Sequence, residues 1–181
     1  MTNLTIENIV AHAKIADGID TSKLAEKDSD FKYNPNEFSG LTLKLDEPKT
    51  AVLLLPDGTA ICTGAKKMED VEIAIKNVTN KIKLAGTKVK TKPKVYTTNI
   101  TVSLDLKKEL HLASISKGLL LENVNYEPEE FPGLIYKMDD LGVILLLFSS
   151  GKIVCTGAST MEDASKAIES MKEKLSSLGA L

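Results

Sequence analysis

Residues 58–65 read GTAICTGA and residues 151–158 read GKIVCTGA, an eight-residue phrase repeated 93 positions apart with the chain's only two cysteines at its centre. The same offset lays YNPNEFSGLTLKLD (33–46) over YEPEEFPGLIYKMD (126–139), and KKMEDVEIAI (66–75) over STMEDASKAI (159–168). From Tyr33 to Ile75, 20 of 43 positions are identical, where unrelated sequences would share roughly three. Upstream, ENIVAHAKI (7–15) lies over TNITVSLDL (98–106) at an offset of 91, so the second copy has two extra residues before its Tyr. The chain is a tandem duplication, with repeats at 1–90 and 91–181. Two long copies do not make a solenoid, which stacks several short units. They suggest one continuous body with a pseudo-twofold axis.

Periodicity gives each copy the same element order. Val71, Ala74, Ile75, Val78, Ile82 and Ala85 share one face of a helix, and Ala164, Ala167, Ile168, Met171, Leu175 and Leu178 repeat that stripe. Ser159 and Glu162 have capping-box spacing before the second of these helices, and Gly86 and Gly179 stand where each helix should stop. Ahead of the helix, NIVAHAKI, LTLKL, TAVLLL and TAICTG read as strands, with NPNEFSG and PDG as turns. A further short strand is expected at Tyr33, and a short helix from near Asp20 in copy one and near Lys108 in copy two. Hairpin-linked neighbours pair antiparallel, and grouped helices cover one sheet face. The expected fold is α+β: about ten antiparallel strands in one sheet with four helices on one side.

Composition bounds the chemistry. With 181 residues and 43% hydrophobic content the chain can bury its own core. Cys62 and Cys155 sit among apolar residues without C-x-x-C spacing or a neighbouring His, which speaks against zinc and against a disulfide framework. Both read as small buried hydrophobes. MTNLTIENIV has no basic region followed by an apolar core, and no apolar run outlasts GVILLLF, so a soluble, intracellular protein without a membrane partner is expected. His12 and His111 do not occupy matching positions, and the S-x-x-K spacing from Ser114 to Lys117 has no supporting motif, so no enzyme, cofactor or metal site is read here. All 23 basic residues are Lys, which excludes bidentate guanidinium forks on phosphate or guanine. A net charge of −2 argues against a partner held mainly through phosphates. TAVLLL and VILLLF are apolar on both strand faces while the helices can cover only one. Apolar residues left on the other face mark a partner surface.

ENIVA, YNPNEFSGL, YEPEEFPGLIYKM and FSSGKIVCTGA together resemble the TATA-box-binding protein family in its archaeal form, over about Asn3 to Leu178. The resemblance implies a saddle-shaped, curved sheet whose concave underside enters the minor groove of an A/T-rich promoter box, with the helices on the convex side. Minor-groove edges of A·T and T·A show only acceptors while G·C adds an amino group, so a largely apolar surface favours A·T.

What the family's site implies here falls on both copies. Asn8 and Asn99 are the central donors, flanked by Thr63 and Thr156 inside the repeated phrase. Strand alternation agrees, since Ile61 and Thr63 share a face, as do Val154 and Thr156, while both cysteines point the other way. The groove-lining residues are Val10, Leu53 and Ile61 in copy one, with Pro132, Leu146 and Val154 in copy two. The wedges that open the end base steps are Phe38 with Leu55, and Phe131 with Phe148. Lys44, Lys49, Lys137 and Lys152 keep phosphate positions. Leu55 replaces a wedge Phe, Thr101 stands where Val10 has its mate, and Thr59 and Gly142 stand where basic contacts are common. Glu127, Glu129 and Glu130 form the loop on which the family docks transcription factor B. The Lys-rich stretch 81–94 reads as a solvated linker, with a role in holding a partner or the DNA backbone as the alternative.

The reading is a general transcription initiation factor acting in the cytoplasm at the nucleoid. It binds and kinks a TATA box, recruits transcription factor B and through it RNA polymerase, and could pair as a homodimer off DNA. The alternative is a duplicated adaptor of the same fold whose apolar sheet binds a protein, without sequence-specific DNA binding.

Overall fold

The computed structural model describes residues 3–119 and 123–181. Its elements run β1 (Thr5–Lys14), α1 (Thr21–Lys27), β2 (Lys32–Tyr33), β3 (Leu41–Leu45), β4 (Thr50–Leu54), β5 (Thr59–Ala65) and α2 (Met68–Leu84). The order then repeats as β6 (Val95–Asp105), α3 (Leu112–Gly118), β7 (Val124–Asn125), β8 (Leu134–Met138), β9 (Val143–Leu147), β10 (Lys152–Ala158) and α4 (Met161–Ser177). Ten antiparallel strands and four helices among the described residues make the α+β fold expected from the repeat. Backbone contacts divide the chain into two compact units, Asn8–Thr98 and the residues up to Glu7 with Asn99–Leu181.

In the first unit the strand order is β2-β3-β4-β5-β1, every neighbour antiparallel. Alternation decides what is buried: Val52 and Leu54 of β4, Ala60 and Cys62 of β5, and Ile9, Ala11 and Ala13 of β1 all point to one side. There the β4 and β5 residues meet α2, whose covered face is Val71, Ala74, Ile75, Val78 and Ile82. The second unit repeats this with order β7-β8-β9-β10-β6. Its core joins Leu145, Leu147, Ile153 and Cys155 to Ala164, Ala167, Ile168, Met171 and Leu175 of α4. The two outermost members of the sequence stripes fall away: Ala85 is half-buried, and Leu178 is 38% exposed. Each is a C-cap, one residue past the last helical turn. Gly86 and Gly179 end the helices with positive φ, and Thr87 N–H and Ala180 N–H return to Ile82 and Leu175 carbonyls at 3.0 and 2.8 Å.

Two local expectations are corrected. The cap of α4 is Thr160, not Ser159: its Oγ1 accepts from Asp163 N–H at 3.1 Å and donates to the Asp163 carboxylate at 2.6 Å. The box lies one residue later because the helix opens at Met161, which sets Asp163 rather than Glu162 against the cap. The second short helix begins at Leu112, not near Lys108. Leu106 and Leu110 donate to the carbonyls of Gly151 and Ser149 at 3.0 and 2.9 Å, which holds that segment against the β9–β10 turn until His111. α1 starts where expected, with Asp20 accepting from Lys23 N–H at 3.2 Å. No described helix is long and apolar enough to cross a membrane.

Candidate nucleic-acid interface

The sheet face that the long helices leave uncovered carries the repeated phrase. In the first unit Thr42, Leu53, Ile61 and His12 lie side by side across β3, β4, β5 and β1, and Lys44, Ala51 and Thr63 form the next row. In the second unit the matching rows are Ile135, Leu146, Val154 and Ser103, then Lys137, Ile144 and Thr156. Apart from the lysines, Ile144 and Ser103, these residues are half-buried, whereas their strand neighbours facing the helices are fully covered. Ile144 is 37% exposed, unusual for a residue so apolar. Both cysteines are fully buried, and loss of water around the thiol pushes each pKa up to about 11. The repeated CTGA therefore turns an inert thiol into the core and a threonine out of it.

Each central asparagine is held by the glycine that follows the threonine. Gly64 N–H donates to Asn8 Oδ1 at 2.7 Å, and Gly157 N–H donates to Asn99 Oδ1 at 2.8 Å. The amide oxygen is thereby occupied and its NH2 is aimed at Thr63 or Thr156 Oγ1, 3.3 Å away in both units. One amide proton of each asparagine and, in the first unit, the Thr63 hydroxyl proton remain available as donors on the open face. The β1–β5 register shifts between Ile9 and Ala11, and the β6–β10 register shifts at the matching place, which brings asparagine and glycine together. The copies differ in one bond: Thr101 Oγ1 and Thr156 Oγ1 lie 3.0 Å apart, whereas Val10 offers Thr63 nothing equivalent.

At the outer end of each face a phenylalanine sits over a glycine. Phe38 and Phe131 are fixed by i+4 turns, their N–H groups donating to the Asn34 and Glu127 carbonyls at 2.9 Å. A Cβ placed on Gly40 would lie 2.5 Å from Phe38 Cε1, and one on Gly133 would lie 2.7 Å from Phe131 Cε1. Only hydrogen at these positions lets the ring lie down on the strand. Phe131 meets Phe148 edge-on with centroids 5.9 Å apart. Phe38 is 36% exposed, and the position matching Phe148 is the smaller Leu55.

The charged residues divide. Lys44, Lys49 and Lys137 are exposed beside this face. Lys152 is bonded to Glu7 Oε1 at 3.3 Å, and the same carboxylate oxygen accepts from Ser103 Oγ at 2.6 Å. Glu127, Glu129 and Glu130 are exposed in the turn before Phe131, and Pro132 is exposed just after it. Sequence reasoning missed Thr42, Ala51, Ile135 and Ile144, although strand alternation alone places them on this face. Gly40 and Gly133 complete an F-x-G spacing that recurs in both copies.

A family model described as "Transcription factor TFIID (or TATA-binding protein, TBP)" matches residues 3–85 and 94–178, once per repeat. The TATA-box-binding protein of Archaeoglobus fulgidus is 43% identical over 178 residues, covering 98% of this chain and 97% of the relative. That of Thermoplasma acidophilum is 44% identical over the same length, with the same coverage. Among solved structures, Methanococcus jannaschii TBP superposes with a TM-score of 0.88 at 39% identity, covering 97% of this chain and 99% of that one.

Proposed function

The chain belongs to the TATA-binding protein family, in its archaeal form, and from that premise we propose that it is a general transcription initiation factor that binds the minor groove of an A/T-rich promoter box. The observation that carries the reading is the open face of each repeat, where half-buried or exposed apolar residues, Leu53 and Ile61 in one and Leu146, Val154 and Ile144 in the other, lie beside an oriented asparagine and threonine pair. Such a face suits a groove floor that offers only acceptors and has no protruding amino group. Asn8, Thr63, Asn99 and Thr156 donate to those acceptors, with Thr101 supporting Thr156. Val10, Leu53, Ile61, Leu146 and Val154 displace water from the floor, and Pro132 extends that surface. Phe38 with Leu55, and Phe131 with Phe148, enter the end base steps. Unstacking costs a few kcal/mol per step for minor-groove wedges generally, offset by the contact that the bend allows.

Phosphate contacts fall to Lys44, Lys49 and Lys137, with Lys152 joining only by leaving Glu7. With so few cations, affinity rests more on apolar burial than on counterion release, and the salt dependence is shallow. The acidic turn Glu127, Glu129 and Glu130 is the edge offered to transcription factor B, which brings RNA polymerase. Off DNA, two open faces can cover each other in a homodimer.

A competition titration with end-to-end fluorescence transfer tests this, using a TATA-box duplex and a G·C-substituted control across salt. Preferential binding of the TATA duplex with a sharp bend and a shallow salt slope supports the reading. Neither preference nor bend from folded protein would replace it with the protein-binding adaptor.

A further inference from the structure

His12 departs from the repeat: the matching position in the second copy is Ser103. It lies opposite Ile61 on the open face, while its β1 neighbours Ala11 and Ala13 are fully buried on the other side. The ring stacks on Tyr96 with centroids 5.6 Å apart and planes 22° from parallel. Nδ1 shares a hydrogen bond with Thr98 Oγ1 at 3.1 Å. Tyr96 is 49% exposed and carries Lys94 Nζ 5.0 Å from its ring centre. Tyr96 and Thr98 stand on the open side of β6, whereas Thr97 turns back to Met68 of α2. The imidazole is therefore positioned by two groups more than 80 residues away in sequence, and its Nε2 has no hydrogen-bond partner among the described residues.

Resting on the minor-groove reading above, we propose that His12 is a protonation-dependent DNA contact of the first repeat, held by Tyr96 and Thr98 so that Nε2 faces the groove acceptors. A neutral ring protonated on Nε2 donates one hydrogen bond there, and an imidazolium donates it with a full positive charge, in a groove whose potential attracts cationic side chains. The complex thus favours the protonated ring and takes up a proton on forming. Affinity rises as pH falls through the range in which an imidazole ordinarily changes charge, about pH 5 to 8. Uptake of one proton limits the gain to about tenfold per pH unit. The charged groups near the ring are Lys14, next on the same face of β1 and bonded to Asp57 of the β4–β5 turn, and Lys94 over Tyr96. From β5 the facing residues, Ile61 and Thr59, carry no charge.

The chain has two histidines, which makes the test clean. His111 precedes α3 in the other unit and faces a separate cavity beside Leu178. Binding of the TATA duplex is titrated from about pH 5.5 to about 8 at constant ionic strength, for the full chain and for His12→Gln, His111→Gln and Tyr96→Ala, with a thermal melt of each. The unsubstituted chain and His111→Gln should tighten roughly three- to tenfold toward low pH. His12→Gln should show no such gain, and Tyr96→Ala only part of it. An equal gain in His12→Gln, or no gain in the unsubstituted chain, overturns the contact. A full gain in Tyr96→Ala overturns the positioning role. Loss of A/T preference at every pH would instead remove the minor-groove reading on which the proposal stands.

Discussion

Gly133→Ala separates the wedge from the fold. The added Cβ would lie 2.7 Å from Phe131 Cε1, 3.1 Å from Phe148 Cε1 and 3.2 Å from the Leu147 carbonyl oxygen. Carbon atoms pack at about 3.5 Å or more, so the Phe131 edge must retreat by about 0.8 Å. The backbone at Gly133 does not have positive φ, so alanine adds no conformational strain of its own. Phe131 is only half-buried and can swing outward, which gives up its edge contact with Phe148, about 0.5–1.5 kcal/mol. Stability should therefore fall by about 1 kcal/mol, seen as a melting shift of roughly 2–4 °C for a chain of this size. A ring moved off the strand meets the base step at the wrong height, and binding should weaken by about ten- to a hundredfold, or about 1.4–2.8 kcal/mol. Fluorescence transfer between duplex ends, read beside the melt, should show a smaller bend from folded protein. An unchanged bend and affinity would refute the idea that this glycine seats the wedge. A melting loss several times larger would assign the glycine to the fold instead.

Asn99→Asp keeps the bond from Gly157 but replaces an outward NH2 with an anionic acceptor; TATA affinity should drop roughly a hundredfold, about 2.7 kcal/mol, with the melt nearly unchanged, and unaltered binding would remove the donor role. Phe148→Ala should reduce bending more than Leu55→Ala, because a ring in edge contact with Phe131 inserts more surface; equal losses in the same fluorescence assay would remove the asymmetry between the repeats. Lys81 bridges Asp28 and Asp30 at 2.9 and 2.7 Å, and its hydrogen bond holds the Asp28 carboxyl below the ordinary 3.8. A depressed carboxyl stabilises the fold above its unfolded value and ceases to as pH falls through the folded one. The melting difference between the unsubstituted chain and Lys81→Met should therefore be full above about pH 4 and close below it; a gap independent of pH would show that the ion pair contributes nothing to the difference.

By itself the sequence determined the duplication, the order of strands and helices, and the sorting of each strand into covered and uncovered sides. These are short-range properties: a period of two along a strand, or 3.6 along a helix, is set by neighbouring residues whatever the rest of the chain does. Cys62 and Thr63 could be assigned to opposite faces on that ground alone, and so could Cys155 and Thr156. Where two local frames competed, as for Ser159 and Thr160, the choice passed to the turn that launches α4. What only the tertiary structure decided is which distant groups meet. Asn8 becomes an oriented donor because a register shift between β1 and β5 delivers Gly64 N–H to its oxygen from 56 residues away. His12 finds Tyr96 and Thr98 only once β6 lies within reach. Gly133 accommodates the Phe131 ring because the turn at Glu127 folds Phe131 back over it. Periodicity carries no record of such partners, since pairing register and turn geometry arise from the packing of whole strands rather than from any one residue's neighbours.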